Sequence, residues 1–166
     1  MLKKSIIIIT IIIIVIVIIN NKKENIISKV SNISNEYNAY NENKYLGYLQ
    51  IPIINMNLGF YNYDSPLNDV EYNIELINTN IANTYLIAAH SGIGKKAYFN
   101  DLSKLKLNDD IYLKFKDKTN HYKIIDIRSV IKTGEIEISN ENNLLYLTTC
   151  DQVIDGYQLI ITAKIV

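Results

Sequence analysis

Leu144-Leu145-Tyr146-Leu147-Thr148-Thr149-Cys150 is an apolar run that ends in the chain's single cysteine. It reads as an alternating apolar β-strand that delivers a thiol at its terminus, where a rigid sheet can hold a nucleophile against a substrate. Sixty residues upstream, Tyr85-Leu86-Ile87-Ala88-Ala89-His90 repeats the pattern and ends in one of only two histidines. Two strands that each end in one half of a possible Cys-His pair suggest thiol chemistry, because a nearby imidazolium favours the thiolate. Taken alone, a lone cysteine after a strand is more often a small buried hydrophobe, and a lone histidine at a strand end more often a surface residue.

Working outward, the chain has 166 residues, a formal net charge of zero and one cysteine. This length favours one domain with a sizeable core. Balanced charge gives no sign of nucleic-acid binding, and a single cysteine excludes an internal disulfide framework. The first 20 residues differ from the rest: Lys3 and Lys4 precede a nearly pure Ile and Val run, and Lys22 and Lys23 follow it. The run falls between a signal-peptide core and a spanning helix, and no small-residue cleavage site follows. Residues 1–20 are therefore expected to be an uncleaved, single-pass membrane anchor. Residues 21–44 are polar, with Ile26, Ile27, Val30 and Ile33 at helical spacing. They read as a short amphipathic helix or stalk, or as a disordered linker.

From residue 45 onward the pattern is of short strands. Residues 45–54 alternate, with Pro52 marking an edge or a bend. Residues 56–63, 84–89, 111–115, 121–131, 144–149 and 158–166 are further candidates, and 71–78 is ambiguous. Phe99, Leu102 and Leu105 share a face over 97–105, which reads as a short helix. Seven or eight strands with turn signals between them give an all-β barrel or sandwich. Gly92-Ile93-Gly94-Lys95 has no following Gly-Lys-Ser/Thr and is no phosphate loop.

Four stretches resemble the sortases, membrane-anchored cysteine transpeptidases of Gram-positive bacteria. Gly47-Tyr48-Leu49-Gln50-Ile51-Pro52 is similar to the family's opening strand, and Ala89-His90-Ser91-Gly92 to its histidine motif. Ala97-Tyr98-Phe99-Asn100-Asp101-Leu102, followed by residues 105–111, resembles its helix and next strand. Tyr146-Leu147-Thr148-Thr149-Cys150 resembles its Thr-Leu-x-Thr-Cys motif. The resemblance covers most of residues 45–166 and implies a closed eight-stranded β-barrel with one or two short helices. An N-terminal membrane anchor precedes it, and the catalytic domain lies outside the cell.

The resemblance also implies a mechanism. Cys150 attacks the Thr-Gly bond of an LPXTG-like sorting signal on a surface protein, and His90 protonates the leaving amine. The resulting thioester passes to an amine of a cell-wall precursor or a pilin lysine. Thr149 and Thr148 frame the substrate, and no cofactor or metal is called for.

One position departs from the family pattern. Sortases carry an arginine on the last strand that binds substrate and stabilises the oxyanion, and it aligns here with Gln158. The amide can donate a hydrogen bond but has no charge and no bidentate fork. Lys164 lies six residues further on, ~20 Å along a strand, too far to substitute. The single arginine, Arg128, falls on the 121–131 strand, where the family has no catalytic residue. Two readings follow: a working transpeptidase in which Gln158 stands in for arginine, or a catalytically impaired sortase-like module that binds a peptide or partner.

The remaining candidates read as structural. His121 reads as a surface residue, and Asp151 as a loop cap rather than a catalytic acid. Glu135, Glu137 and Glu141 read as solvated loop charges rather than calcium ligands. The 133–143 segment lacks room for the long helix of class B enzymes, while residues 156–166 read rather like class B, so the class stays open.

Overall fold

The computed structural model of the chain describes residues 16–31 and 45–166. It divides into two compact units, Met1–Asn43 and Lys44–Val166. In the first, residues 16–31 are α-helical. Ile26, Ile27 and Val30 lie on this helix, and Ile33 lies outside the described residues. Most of the expected 1–20 anchor also lies outside them. Among the described residues, no helix is long and apolar enough to cross a membrane.

The second unit is one eight-stranded sheet. Its strands are β1 (Gly47–Ile51), β2 (Met56–Phe60), β3 (Glu75–Asn78), β4 (Tyr85–Ala88), β5 (Asp110–Phe115), β6 (Thr119–Ile131), β7 (Leu144–Cys150) and β8 (Tyr157–Ile165). Their spatial order is β2-β1-β5-β6-β8-β7-β4-β3. All neighbours are antiparallel except β4 and β7, which run parallel. A parallel pair needs a crossover, and the β5–β6 hairpin between them in sequence provides it.

The barrel is nearly closed rather than closed. The outer strands β2 and β3 share no ladder and meet at a single bridge, Phe60 with Ile74. The reason lies in two asparagines. The Asn68 side chain accepts from the Leu76 amide (2.8 Å) and donates to the Leu76 carbonyl (2.9 Å). Asn73 donates to the Gly59 carbonyl (2.6 Å). Side-chain amides thus occupy backbone groups that a continuous ladder would use.

Leu49, Ile51, Phe60, Ile87, Leu113 and Ile161 belong to the main core and are fully buried. In β1 every second residue is buried, as strict alternation predicts. β7 is different, since residues 144–149 are all buried. Its inner face joins the main core through Leu145 and Leu147. Its outer face forms a second cluster, in which Leu144, Tyr146, Leu86 and Ile160 are covered by Ile136 and Ile138 from the β6–β7 connection. That two-sided cover accounts for the near-continuous apolar run in place of the expected alternation.

Pro52 ends β1 and starts a 3-10 turn, Pro52–Ile54, closed by Asn55 in the left-handed region (φ 52°). The ambiguous 71–78 stretch is a turn leading into β3. The helix expected over 97–105 is a single 3-10 segment, Asn100–Lys104. Phe99, Leu102 and Leu105 are buried all the same. A spacing of three suits the three-residue turn of a 3-10 helix better than an α-helix.

Candidate active site

The parallel β4–β7 pair builds the site. Ala88 lies opposite Thr148 in its register. The pairing continues beyond the strand ends: the Ala89 amide donates to the Thr148 carbonyl (3.3 Å), and the Thr149 hydroxyl to the Ala89 carbonyl (2.8 Å). The Ser91 hydroxyl then donates to the Cys150 carbonyl (2.6 Å). Two residues past the Ala88–Thr148 pair, the chain reaches His90 after β4 and Cys150 at the end of β7. The parallel pairing thus carries the two residues that the sequence singles out toward the same end of the sheet.

Their side chains have different partners. His90 Nε2 lies 3.2 Å from Glu71 Oε1, and Glu71 Oε2 also accepts from Lys96 Nζ (3.3 Å). The His90 hydrogen bond, then that of Lys96, holds the Glu71 carboxyl below its ordinary range. The Cys150 thiol is half-buried, and Lys132 Nζ lies 3.4 Å from its sulfur. Among the described residues, no hydrogen bond joins His90 to Cys150.

Gln158 stands opposite Cys150 on β8 and opposite Val130 on β6. It is buried, and its Nε2 donates to the Glu135 carbonyl (3.2 Å). The amide is thus committed to the β6–β7 connection. Arg128 pairs with Asp126 (3.2 Å) and donates to the Glu137 carbonyl (3.4 Å), so it fastens the same connection. Lys164 pairs with Glu141 (3.4 Å). Thr148 and Thr149 are both buried. Thr149 ties β7 to β4 through its hydroxyl, a framing role within the protein.

Cys150 borders two adjoining hollows. A cavity of about 260 Å³ is lined by Phe99, Ser129, Thr149, Cys150, Val153 and Leu159. An open groove of about 470 Å³ runs past Ser91, Gly92, Asn100, Cys150 and Gln152. The β7–β8 loop on the rim is shaped by Asp151, whose carboxylate accepts from the Ser129 hydroxyl and from the amides of Val153 (2.7 Å) and Ile154 (3.0 Å). These bonds, Ser129's first, hold its carboxyl below the ordinary range. This is the loop-capping arrangement expected from the sequence.

Asn100 is a node that sequence reasoning passed over. Its side chain accepts from the Gly92 amide (2.7 Å) and from Gln152 Nε2 (2.6 Å), and donates to the Gly92 carbonyl (3.0 Å). Lys132 and Glu71 were missed as well. Each sits in a polar segment with no local pattern, and only long-range register brings them to Cys150 and His90. His121 stacks on Tyr112 and pairs with Asp110 (2.7 Å), as a surface residue would. Among the described residues, no group of three His, Cys, Asp or Glu side chains gathers in a metal-binding arrangement.

The Sortase domain family matches residues 49–166, well over half of the chain. The fold is similar to that of Streptococcus pneumoniae Sortase C (TM-score 0.61, 23% identity, 74% of this chain and 69% of that one). It is also similar to Group B Streptococcus Pilus Island 1 Sortase C2 (TM-score 0.61, 21% identity, 74% of each chain). A third similar structure is Streptococcus agalactiae Sortase C1 (TM-score 0.62, 19% identity, 74% of this chain and 68% of that one). No curated protein matches the chain. With the Thr-Thr-Cys strand end, the histidine strand beside it and the family match across the whole barrel, the chain belongs to the sortase family, the cysteine transpeptidases.

Proposed function

We propose that this protein cleaves an LPXTG-like sorting signal and transfers the carrier protein to an amine through a thioester on Cys150. The observation that supports the reading is the β4–β7 register, whose last pair, Ala88 with Thr148, lies two residues before His90 and before Cys150, the latter on the wall of a groove. The Cys150 thiolate adds to the Thr carbonyl carbon, and the carbonyl π-pair moves to oxygen. Collapse of that oxyanion breaks the C–N bond, and the imidazolium of His90 gives its proton to the departing amine. An acceptor amine then attacks the thioester, returns a proton to His90 and releases the thiolate. For this work His90 turns away from Glu71. Such an exposed pair is weak and yields readily.

The acceptor is a cell-wall precursor amine or a pilin lysine. The similar S. pneumoniae Sortase C structure is described in terms of pilin substrate specificity, which supports the second. The apolar run in residues 1–20 supports a membrane-held enzyme, and the family resemblance supports a barrel on the outer side. The test is intact mass of the detergent-solubilised full chain mixed with LPXTG-like peptides, with hydroxylamine in a parallel sample. A hydroxylamine-labile adduct is expected in the wild type and absent in Cys150→Ala, and His90→Ala should lose turnover. A fully active His90→Ala would sink the mechanism.

A second reading is a binding module that holds a sorting signal or partner without cleaving it. It draws on the commitment of Gln158 Nε2 to the Glu135 carbonyl, which leaves that amide away from an oxyanion. It predicts saturable peptide binding that survives Cys150→Ala, with no adduct in the wild type.

A further inference from the structure

We propose that Lys132 is the cationic partner of Cys150, supplying from β6 the charge that other sortases supply from the last strand. Val130, Gln158 and Cys150 form one row across β6, β8 and β7. Residues directly opposite in antiparallel strands project to the same side. Lys132 comes two residues after Val130, and its amide donates to the carbonyl of Gly156 (2.8 Å), two residues before Gln158. The ladder therefore runs past the end of β6 and keeps Lys132 on the side of that row. From there its stem carries Nζ to 3.4 Å from Cys150 Sγ.

Several neighbouring charges are engaged elsewhere. Asp151 is turned to Ser129 and to the Val153 and Ile154 amides. On the β4 side, His90 and Lys96 share Glu71. At the groove, Asp101 and Lys104 pair with each other (2.7 Å). On β6, Arg128 pairs with Asp126. Among the described residues, Lys132 forms no ion pair with a carboxylate, so its ammonium is left to the sulfur.

A compact ammonium with three donors needs no fork geometry to hold a thiolate. When the thiolate adds to a carbonyl, negative charge passes from sulfur to the neighbouring oxygen, and a flexible ammonium can follow it. Lys132 transfers no proton in either step. This catalytic role rests on the transpeptidase reading above, whereas the ion pair itself needs no substrate.

The test is the pH profile of Cys150 alkylation by iodoacetamide, read by intact mass in the detergent-solubilised full chain. Lys132→Met, Lys132→Arg and Lys164→Met are compared with the wild type, and the same proteins then meet the peptide panel. Lys132→Met is expected to slow the alkylation at neutral pH severalfold. Lys132→Arg should restore the wild-type profile, and Lys164→Met should not move it. Acylation by a productive peptide should fall at least tenfold in Lys132→Met. Superimposable alkylation profiles for wild type and Lys132→Met would overturn the pairing, whatever the peptides do. A displaced profile with no acyl adduct in the wild type would uphold the ion pair and overturn the transpeptidase reading, and with it the catalytic role.

Discussion

Cys150 and Gln158 face each other across β7 and β8, yet the Gln158 amide donates to the Glu135 carbonyl rather than into the groove. Position and chemistry are thus separated at the residue that the sequence resemblance aligns with an arginine. The residue opposite the thiol is a buried neutral fastener, and the nearest positive charge comes from the far end of β6.

Gln158→Arg tests that separation. The longer side chain would place a fork and a charge opposite Cys150, at the cost of the bond to Glu135. The acylation rate should stay level or rise, measured by intact mass over time. A tenfold fall would show that the Gln158 amide contributes more than its fastening bond.

Thr149→Val should separate the β4 and β7 ends. The substitution keeps the shape but leaves the buried Ala89 carbonyl without the donor it has at 2.8 Å. The expected loss of stability is about 1–3 kcal/mol, read from urea unfolding, and Thr149→Ser should recover most of it. Unchanged stability would mean that the strap is idle.

Asp151 sets an acid limit for the β7–β8 loop. Hydrogen bonds from Ser129, Val153 and Ile154 depress its folded-state pKa below the unfolded one. Its contribution is therefore present above the ordinary aspartate value, near pH ~3.9, and is lost as pH falls through the depressed value. Hydrogen exchange at the Val153 and Ile154 amides should show protection that is flat from neutral pH to about pH 4 and falls only below it. Asp151→Ala should lose that protection at every pH, and its acylation should slow by roughly threefold to tenfold through misplacement of the rim.

Asn68→Ala removes both side-chain bonds to Leu76 at the outer edge of β3. The cost should be about 1–2 kcal/mol, with the loss of exchange protection confined to β3 and the Phe60–Ile74 bridge. Protection lost evenly over the barrel would show that the seam does not open on its own.

The strands that build the site were legible because their signals are local: β4 and β7 are short apolar runs, each ending in a chemically distinctive residue. Pro52 marked an edge or a bend within the expected 45–54 strand, and β1 in fact stops at Ile51, just before it. What escaped was set by distance in sequence. The side chains that leave the barrel short of closure gave no such signal: Asn68 reads as a turn residue, and Asn73 falls in the ambiguous 71–78 stretch. Phe99, Leu102 and Leu105 fit a helix of either pitch, and the tighter one won. Lys132 is an ordinary lysine in sequence. It acquires meaning only once its amide is seen on Gly156, one step beyond the row that carries Gln158 and Cys150.

The seam between β2 and β3 gives the two halves of the site different mountings. Cys150 ends β7, which is laddered on both sides and lies two strands in from the open edge. His90 leaves β4, whose other neighbour is the four-residue β3 that borders the gap. Flexing of the hoop at its weak link reaches β4 before it reaches β7. Under the proposed mechanism, the attacking sulfur would sit on the anvil and the acid on the sprung arm, free to follow a leaving group while the sulfur stays in place.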